Sequence, residues 1–264
     1  MQKIISLVTR KVPRKYLNGL NFLAGHVLAL FYRGDKYECP IEGKTYRKFL
    51  PYGRMKSRPN ALCPGSLSLE RHRLQWLFMK NETNFFTENL RLLHIAPEMC
   101  FMRVFKKLDN INYVTADLDS PLADVKADVM DLPFDGTSFD VVFCNHVMEH
   151  VDDDIKAMKE IYRVLKPGGW AFMQVPLDPE LEHTLEDPGV TDPAERERLY
   201  DQSDHMRKYG RDYGDRLRKA GFSVTEADYT TDLGPEKVER YALMSGEILY
   251  FCEKKSTTKR SNQE

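Results

Sequence analysis

No acidic residue occurs in the first 34 positions of this 264-residue chain, and no apolar run is long enough to cross a bilayer. The longest such run, Leu20 to Tyr32, is broken by Asn21, Gly25 and His26. No secretory leader is recognisable, and the five cysteines lack the paired spacing of a disulfide framework. These absences argue against a membrane-spanning chain and a disulfide-stapled secreted domain. They predict a cytoplasmic protein with reduced thiols. There is no internal repeat either, which argues against a solenoid.

What is present is the composition of a globular protein, 42% hydrophobic and 30% charged. The net charge of −1 hides an asymmetry. Residues 1–80 hold sixteen Lys/Arg against four Asp/Glu, a balance of +12, leaving 23 against 36, or −13, for the rest. The basic front docks on the acidic body or meets an anionic partner, such as nucleic acid or a membrane surface. Leu20, Leu23, Val27 and Leu30/Phe31 share one helical face, so residues 1–34 form a basic amphipathic segment suited to peripheral membrane contact. Residues 35–66, rich in Gly, Pro, Lys and Arg, read as loops with short strands.

From residue 67 to 264, helical and strand patterns alternate. Helices are predicted over Leu69 to Phe78, Cys100 to Leu108, Asp153 to Lys166 and Tyr213 to Ala220. Strands are predicted over Arg91 to Ile95, Ile111 to Ala116, Phe139 to Cys144, Trp170 to Val175, Phe222 to Ala227 and Glu247 to Cys252. "KPGGW" ends the third helix, because Pro167 cannot continue it and the glycines supply a turn. This order predicts an α/β doubly wound, Rossmann-like sheet, mostly parallel. Residues 178–204, acidic and carrying Pro179, Pro188 and Pro193, form a lid-like insertion.

In such sheets ligands bind beyond the carboxyl ends of the strands, which singles out the residues that follow each one. These are Ala96, Pro97 and Glu98, then Asp117 to Asp119, then Asp128, then Asn145 and His146. A carboxylate at the end of the second strand, Asp117 or Asp119, can accept both ribose hydroxyls of a nucleoside cofactor. Asp128 can accept an exocyclic amine.

The stretch "ADVMDLPFDGTSFDVVFCNHVMEHVDDDIKAMKEIYRVLKPGGWAFMQVP" resembles the core of class I S-adenosylmethionine-dependent methyltransferases of the type-11 group. The likeness is close over residues 88–176 and looser to about 253. "RKFLPYGR…RPNALCPGSLSLERHRL" is similar to a bacterial subgroup with a small cysteine-bearing segment before the domain. The resemblance implies a seven-stranded sheet with an antiparallel last strand, and S-adenosylmethionine as cofactor. It places His94, Ala96 and Glu98 at the methionine moiety, and Asp117 and Leu118 at the ribose. Asp128, Val129 and Met130 fall at the adenine, and Asn145 and His146 near the sulfonium. The family's glycine-rich first loop is replaced by "LLHIAPEMC", which has no glycine. Pro97 stiffens that turn and Glu98 is expected to meet the cofactor's ammonium.

Methyl transfer needs positioning and exclusion of water, with a base only where the acceptor carries a weakly acidic proton. His146, His150, His205 and Tyr209 are the candidates, the last two in "DHMRKYGRDYG", the segment expected to shape the acceptor site. The acceptor predicted is a small molecule or lipid-like compound. The alternatives are RNA, reached through the basic front, and a non-catalytic scaffold on the same fold.

Two motifs suggest metal. His146-Val-Met-Glu149-His150 matches the H-x-x-E-H pattern of one group of zinc peptidases. The acids Asp152 to Asp154 mark the helix start, which leaves the pentapeptide before the helix and argues against that site. Cys39-Pro-Ile-Glu42 and Cys63-Pro-Gly-Ser66 have zinc-ribbon spacing, but Glu42 and Ser66 stand where thiolates are needed. The ribbon shape is expected to persist on Tyr46, Phe49 and Leu50, without metal.

Overall fold

Apart from Asp140, the stretch Phe139–Cys144 has no surface-facing side, since Phe139 and Val141 through Cys144 are all fully buried. It forms the middle of a seven-stranded sheet in the computed structural model, which describes residues 29–53 and 57–256. The sheet strands are β1 Leu90–Ile95, β2 Ile111–Asp117, β3 Val125–Lys126, β4 Phe139–Cys144, β5 Leu165–Phe172, β6 Ser223–Ala227 and β7 Leu249–Glu253. Their spatial order is β6-β7-β5-β4-β1-β2-β3. Strand β7 runs antiparallel to both neighbours, and every other pairing is parallel. This is the Rossmann-like sheet expected from the alternation, with the antiparallel last strand that the resemblance implied.

The chain divides into two compact units. The second contains the sheet and comprises Glu88–Pro97, Leu108–Ala227 and Ile248 onward. Its core joins Leu93 and Ile95 of β1 to Val142 and Cys144 of β4 and to Ala157, Met158, Ile161 and Val164. Those last four lie on one face of helix Asp154–Val164, whose N-cap Asp153 accepts from the Lys156 amide at 2.9 Å. The acid-marked helix start is thus where the sequence put it, and the pentapeptide precedes it.

Strand β5 differs from the expected Trp170 to Val175. It begins at Leu165, directly at the end of the helix, and pairs Leu165 with Phe139 and Trp170 with Val141. "KPGG" is therefore a bulge within the strand rather than a connection before it. Gly169 is required there, because a Cβ would lie 2.7 Å from the Asp140 carbonyl oxygen. The short β3 was also absent from the sequence reading. The insertion 178–204 is folded. It contains strand Leu185–Glu186, paired antiparallel with Arg207–Lys208, and helix Pro193–Tyr200 with Asp192 as N-cap.

The first unit holds the described residues up to Thr87 together with Glu98–Lys107 and Asp228–Glu247. Two antiparallel hairpins, Arg33–Cys39 with Lys44–Tyr46 and Leu50–Tyr52 with Arg58–Leu62, precede helix Glu70–Glu82. Arg73 ties this unit together. Fully buried on that helix, its guanidinium donates to the carbonyls of Ala61, Ser68, Tyr241 and Ala242. The short helices Tyr229–Leu233 and Pro235–Arg240, unforeseen in the sequence, belong to the same unit. Tyr46 and Phe49 are buried as expected, with ring centroids 5.7 Å apart. Most of the basic amphipathic segment, residues 1–28, lies outside the described residues. No helix among the described residues is long and apolar enough to cross a membrane.

Candidate active site

Adjacent strands β1 and β4 end side by side, with Ile95 opposite Cys144. Each is followed by a turn through a residue with positive φ that is not glycine: Ala96 at 48° and His146 at 55°. The Ala96 amide donates to the Ala116 carbonyl (2.8 Å), and the His146 amide to that of Gln174 (2.7 Å). The left-handed turn that glycine usually supplies is thus kept without it, at the cost of local strain. His94 is fully buried within β1, its Nδ1 2.8 Å from the Tyr113 hydroxyl and its ring 5.6 Å from that of Phe143. Pro97 ends this segment, half-buried. Glu98 belongs to the first unit, where it precedes helix Met99–Phe105 and its carboxylate lies 3.6 Å from His72 Nε2.

Asp117 closes β2. Its Oδ1 accepts from the amides of Asp119 (2.8 Å) and Ser120 (2.7 Å), which fixes the carboxylate at the strand end and leaves Oδ2 for a ligand. Leu118, beside it, is 55% exposed. Asp128 accepts from the Met130 amide at 2.8 Å, while Val129 is buried in the core and Met130 half-buried. Asn145 is 4% exposed at the end of β4. The residues proposed for the ribose and adenine therefore lie at successive strand ends, an arrangement that fits a nucleoside.

A second group forms where "HVMEH" meets "DHMRKYG". The Met206 amide donates to the Glu149 carbonyl at 2.8 Å. Buried Arg207 donates to the carbonyls of Met148 (2.7 Å), Val151 (2.6 Å) and Asp152 (2.8 Å) and pairs with Glu186 at 2.9 Å. Tyr209 is fully buried, and its hydroxyl donates to Asp154 Oδ2 (2.7 Å) and the Met148 carbonyl (3.1 Å). Burial pushes its phenol well above the ordinary value, with the Asp154 charge adding to the rise. Arg216 grips Asp154 with two bonds of 2.7 and 2.8 Å. Burial would raise Asp154, but Arg216, Arg207 and Tyr209 together hold it below the usual carboxylate range.

His205 Nδ1 lies 2.8 Å from the Tyr200 carbonyl, so it carries the proton, and burial lowers the ring's pKa. His146 Nδ1 is 3.3 Å from Glu149 Oε1. His205, Arg207 and Lys208 line a cleft of about 270 Å³ with Leu177, Asp178 and Tyr200.

The structure thus joins His146, Glu149, His150 and His205, and it turns Tyr209 inward to a fixed partner. Arg207, Arg216 and Asp154 were not anticipated. The available signal was the acidic insertion, whose Glu186 needs a basic partner, and two arginines flank Tyr209.

The ribbon-spaced residues also meet. Glu42 Oε1 accepts from the Tyr46 hydroxyl (2.8 Å), the Ser66 amide (3.0 Å) and the Cys63 thiol (3.1 Å). Cys39 Sγ lies 3.2 Å from Ser66 Oγ. Burial would raise the Cys39 thiol, but hydrogen bonds from Cys63, Ser66 and Ser68 bring it down to about 6.

Residues 83–173 match the family model of a methyltransferase domain. The chain is 50% identical over 44 residues to the chloroplastic 2-phytyl-1,4-beta-naphthoquinone methyltransferase of Arabidopsis thaliana, 17% of each chain. It is 51% identical over 45 residues to the demethylmenaquinone methyltransferase of Staphylococcus epidermidis, 17% of this chain and 19% of that one. A longer match, 32% over 138 residues, joins it to the sterol 24-C-methyltransferase of Kluyveromyces lactis, 50% of this chain and 35% of the relative. The chain spans under a fifth of the length of the first two relatives. The matched residues 83–173 carry β1 to β5 of the seven-stranded sheet.

Proposed function

We propose that this protein transfers the methyl group of S-adenosylmethionine to a small or lipid-like acceptor. The observation that carries this reading is the row of ligand-ready groups at the carboxyl ends of β1, β2 and β4, with Asp117 locked by two backbone amides. When bound, S-adenosylmethionine supplies an electrophilic methyl group on a sulfonium. Asp117 and Leu118 meet the ribose, with Asp117 taking its hydroxyls, and Asp128, Val129 and Met130 bound the adenine. Ala96 and Pro97 present main chain to the methionine moiety, backed by His94, and Glu98 takes its ammonium. Asn145 and His146 flank the reacting methyl, where His146 takes the acceptor's proton if it carries one. Tyr209 acts by position, pinning "DHMRKYG" to the turn that holds Glu149 and Asp154.

Relatives named for a naphthoquinone, menaquinone and sterols support a lipid-like acceptor. Leu30 and Phe31, 56% and 70% exposed, support peripheral contact with a lipid surface. The five cysteines are buried thiols outside any disulfide, which suits a cytoplasmic setting.

Thermal unfolding with S-adenosylhomocysteine tests the reading. The melting temperature should rise with ligand concentration, and Asp117→Ala should weaken binding by about tenfold or more, roughly 1.4 kcal/mol. A wild-type melting temperature that ignores saturating ligand would overturn it. Glu98→Gln separately tests the ammonium contact.

A further inference from the structure

Glu149, His150 and His205 bring one carboxylate oxygen and two ring nitrogens within 4.8 Å of one another. Glu149 and His205 are 1% and 4% exposed. Glu149 Oε2 and His205 Nε2 are buried, with no hydrogen-bond partner among the described residues. Two orphaned polar atoms side by side in a protein interior are costly and call for a ligand.

The protonation pattern tells what kind. His205 Nδ1 donates to the Tyr200 carbonyl, so Nε2 carries a lone pair. A lone pair facing a carboxylate is acceptor against acceptor. A cation satisfies both at once.

We propose that Glu149, His150 and His205 form a binding site for a divalent transition-metal ion of the zinc type. Two imidazoles and one carboxylate are a donor set that suits zinc, and three protein ligands leave coordination positions open. The outer partners that usually orient such ligands are already in place. The Tyr200 carbonyl holds His205. Asp204 faces His150 Nδ1 through its carbonyl (3.3 Å) and carboxylate (3.4 Å). His146 Nδ1 faces Glu149 Oε1 at 3.3 Å, leaving Oε2 to the ion. His150 is exposed, giving the ion a route in, and His205 also lines the 270 Å³ cleft.

The pentapeptide therefore enters a metal site differently from a peptidase helix. Its glutamate serves as ligand rather than base, and the second histidine arrives from "DHMRKYG". This departs from the expectation that "HVMEH" holds no metal. On the methyl-transfer reading, an open position at the cleft would take an oxygen of the acceptor and lower its pKa. The ion site itself does not depend on that reading.

The test is metal analysis of the full chain, stripped with chelator, dialysed against Zn2+ and then against buffer. About one equivalent should remain at this site. Glu149→Gln and His205→Ala should each lose it, with affinity down about tenfold or more. His150→Ala, at an exposed position, should also lose it while circular dichroism stays native. The double variant Cys39→Ser/Cys63→Ser should retain it. Co2+ in place of Zn2+ should give ligand-field bands without a thiolate charge-transfer band. No retained zinc in the wild type, zinc lost only in the cysteine variant, or a cobalt spectrum dominated by thiolate would each overturn the proposal. A second equivalent that disappears only in the cysteine variant would leave it standing.

Discussion

The protein holds two clusters of metal-ligating side chains, and they differ in how far they satisfy themselves. In the first unit, Cys39, Glu42 and Cys63 lie close enough to share an ion, yet Glu42 Oε1 alone accepts three hydrogen bonds and Cys39 meets Ser66. In the second unit, Glu149, His150 and His205 are equally close, but two buried atoms go unsatisfied. Proximity of ligand atoms is common to both; incomplete internal bonding belongs to one. A cluster whose donors and acceptors close on each other resembles an ordinary polar knot. One that leaves a lone pair facing a carboxylate is built around something else. The difference is why the ion proposed above is placed at the second cluster.

The largest effect should come from the frame of the second cluster. Asp154 is 2% exposed and carries Arg216 and Tyr209. Asp154→Ala strands both, and should cost about 3 kcal/mol in urea unfolding. The pH dependence has a definite sign. Because Asp154 sits below its ordinary value in the fold, its stabilisation is present above pH ~4 and is lost as pH falls through the folded pKa. The stability gap between wild type and Asp154→Asn should accordingly shrink in acid. A gap that is flat from pH 6 down to pH 2 would contradict the assignment.

Next comes the closed cluster. Glu42→Ala leaves a hydroxyl, a thiol and an amide without their acceptor and should cost about 2 kcal/mol. Glu149→Gln should behave oppositely in chelator-stripped protein. Removing a buried charge that lacks a partner on one oxygen should leave stability unchanged or raise it by up to about 1 kcal/mol, since such sites trade stability for function. If Glu149→Gln destabilised the stripped protein as much as Glu42→Ala, the contrast between the clusters would be lost.

Much of the sheet was legible, because Phe139–Cys144 and Leu90–Ile95 are mostly apolar, broken only by Asp140 and by Arg91 and His94, and buried parallel strands look like that. The strand-end positions that we propose for the nucleoside could also be read, since strand ends locate them without knowledge of any side-chain contact. What could not be read were pairings across long sequence separations. Glu149 meeting His205, Arg73 reaching the carbonyls of Tyr241 and Ala242, and Arg207 tying down Met148 have no local signature. "HVMEH" shows both sides of this. Its place before the helix followed from the acids after it, while its ligand role depends on a histidine 55 residues downstream. The bulge at "KPGG" was misplaced for a related reason. The helix ends at Val164, before Pro167, and whether the chain then turns or pairs depends on Phe139 across the sheet.

The smallest predicted effect concerns the two strand-end turns. Ala96 and His146 both sit in the left-handed region, where a Cβ costs roughly 1–2 kcal/mol. Glycine removes that cost but gives back about 0.4–1 kcal/mol through the freer unfolded chain. Ala96→Gly should therefore stabilise the protein by only about 0.5 kcal/mol. The same exchange at His146 also removes the imidazole near Glu149, so its turn-over rate should fall even if its stability rises. Comparing the two variants by thermal unfolding and by S-adenosylhomocysteine affinity separates backbone strain from side-chain function. Strain at Ala96 predicts a small gain in stability with affinity held within about threefold. A loss of stability in Ala96→Gly would mean that the Ala96 methyl is packed rather than tolerated, and that this glycine-free loop was selected for its side chain.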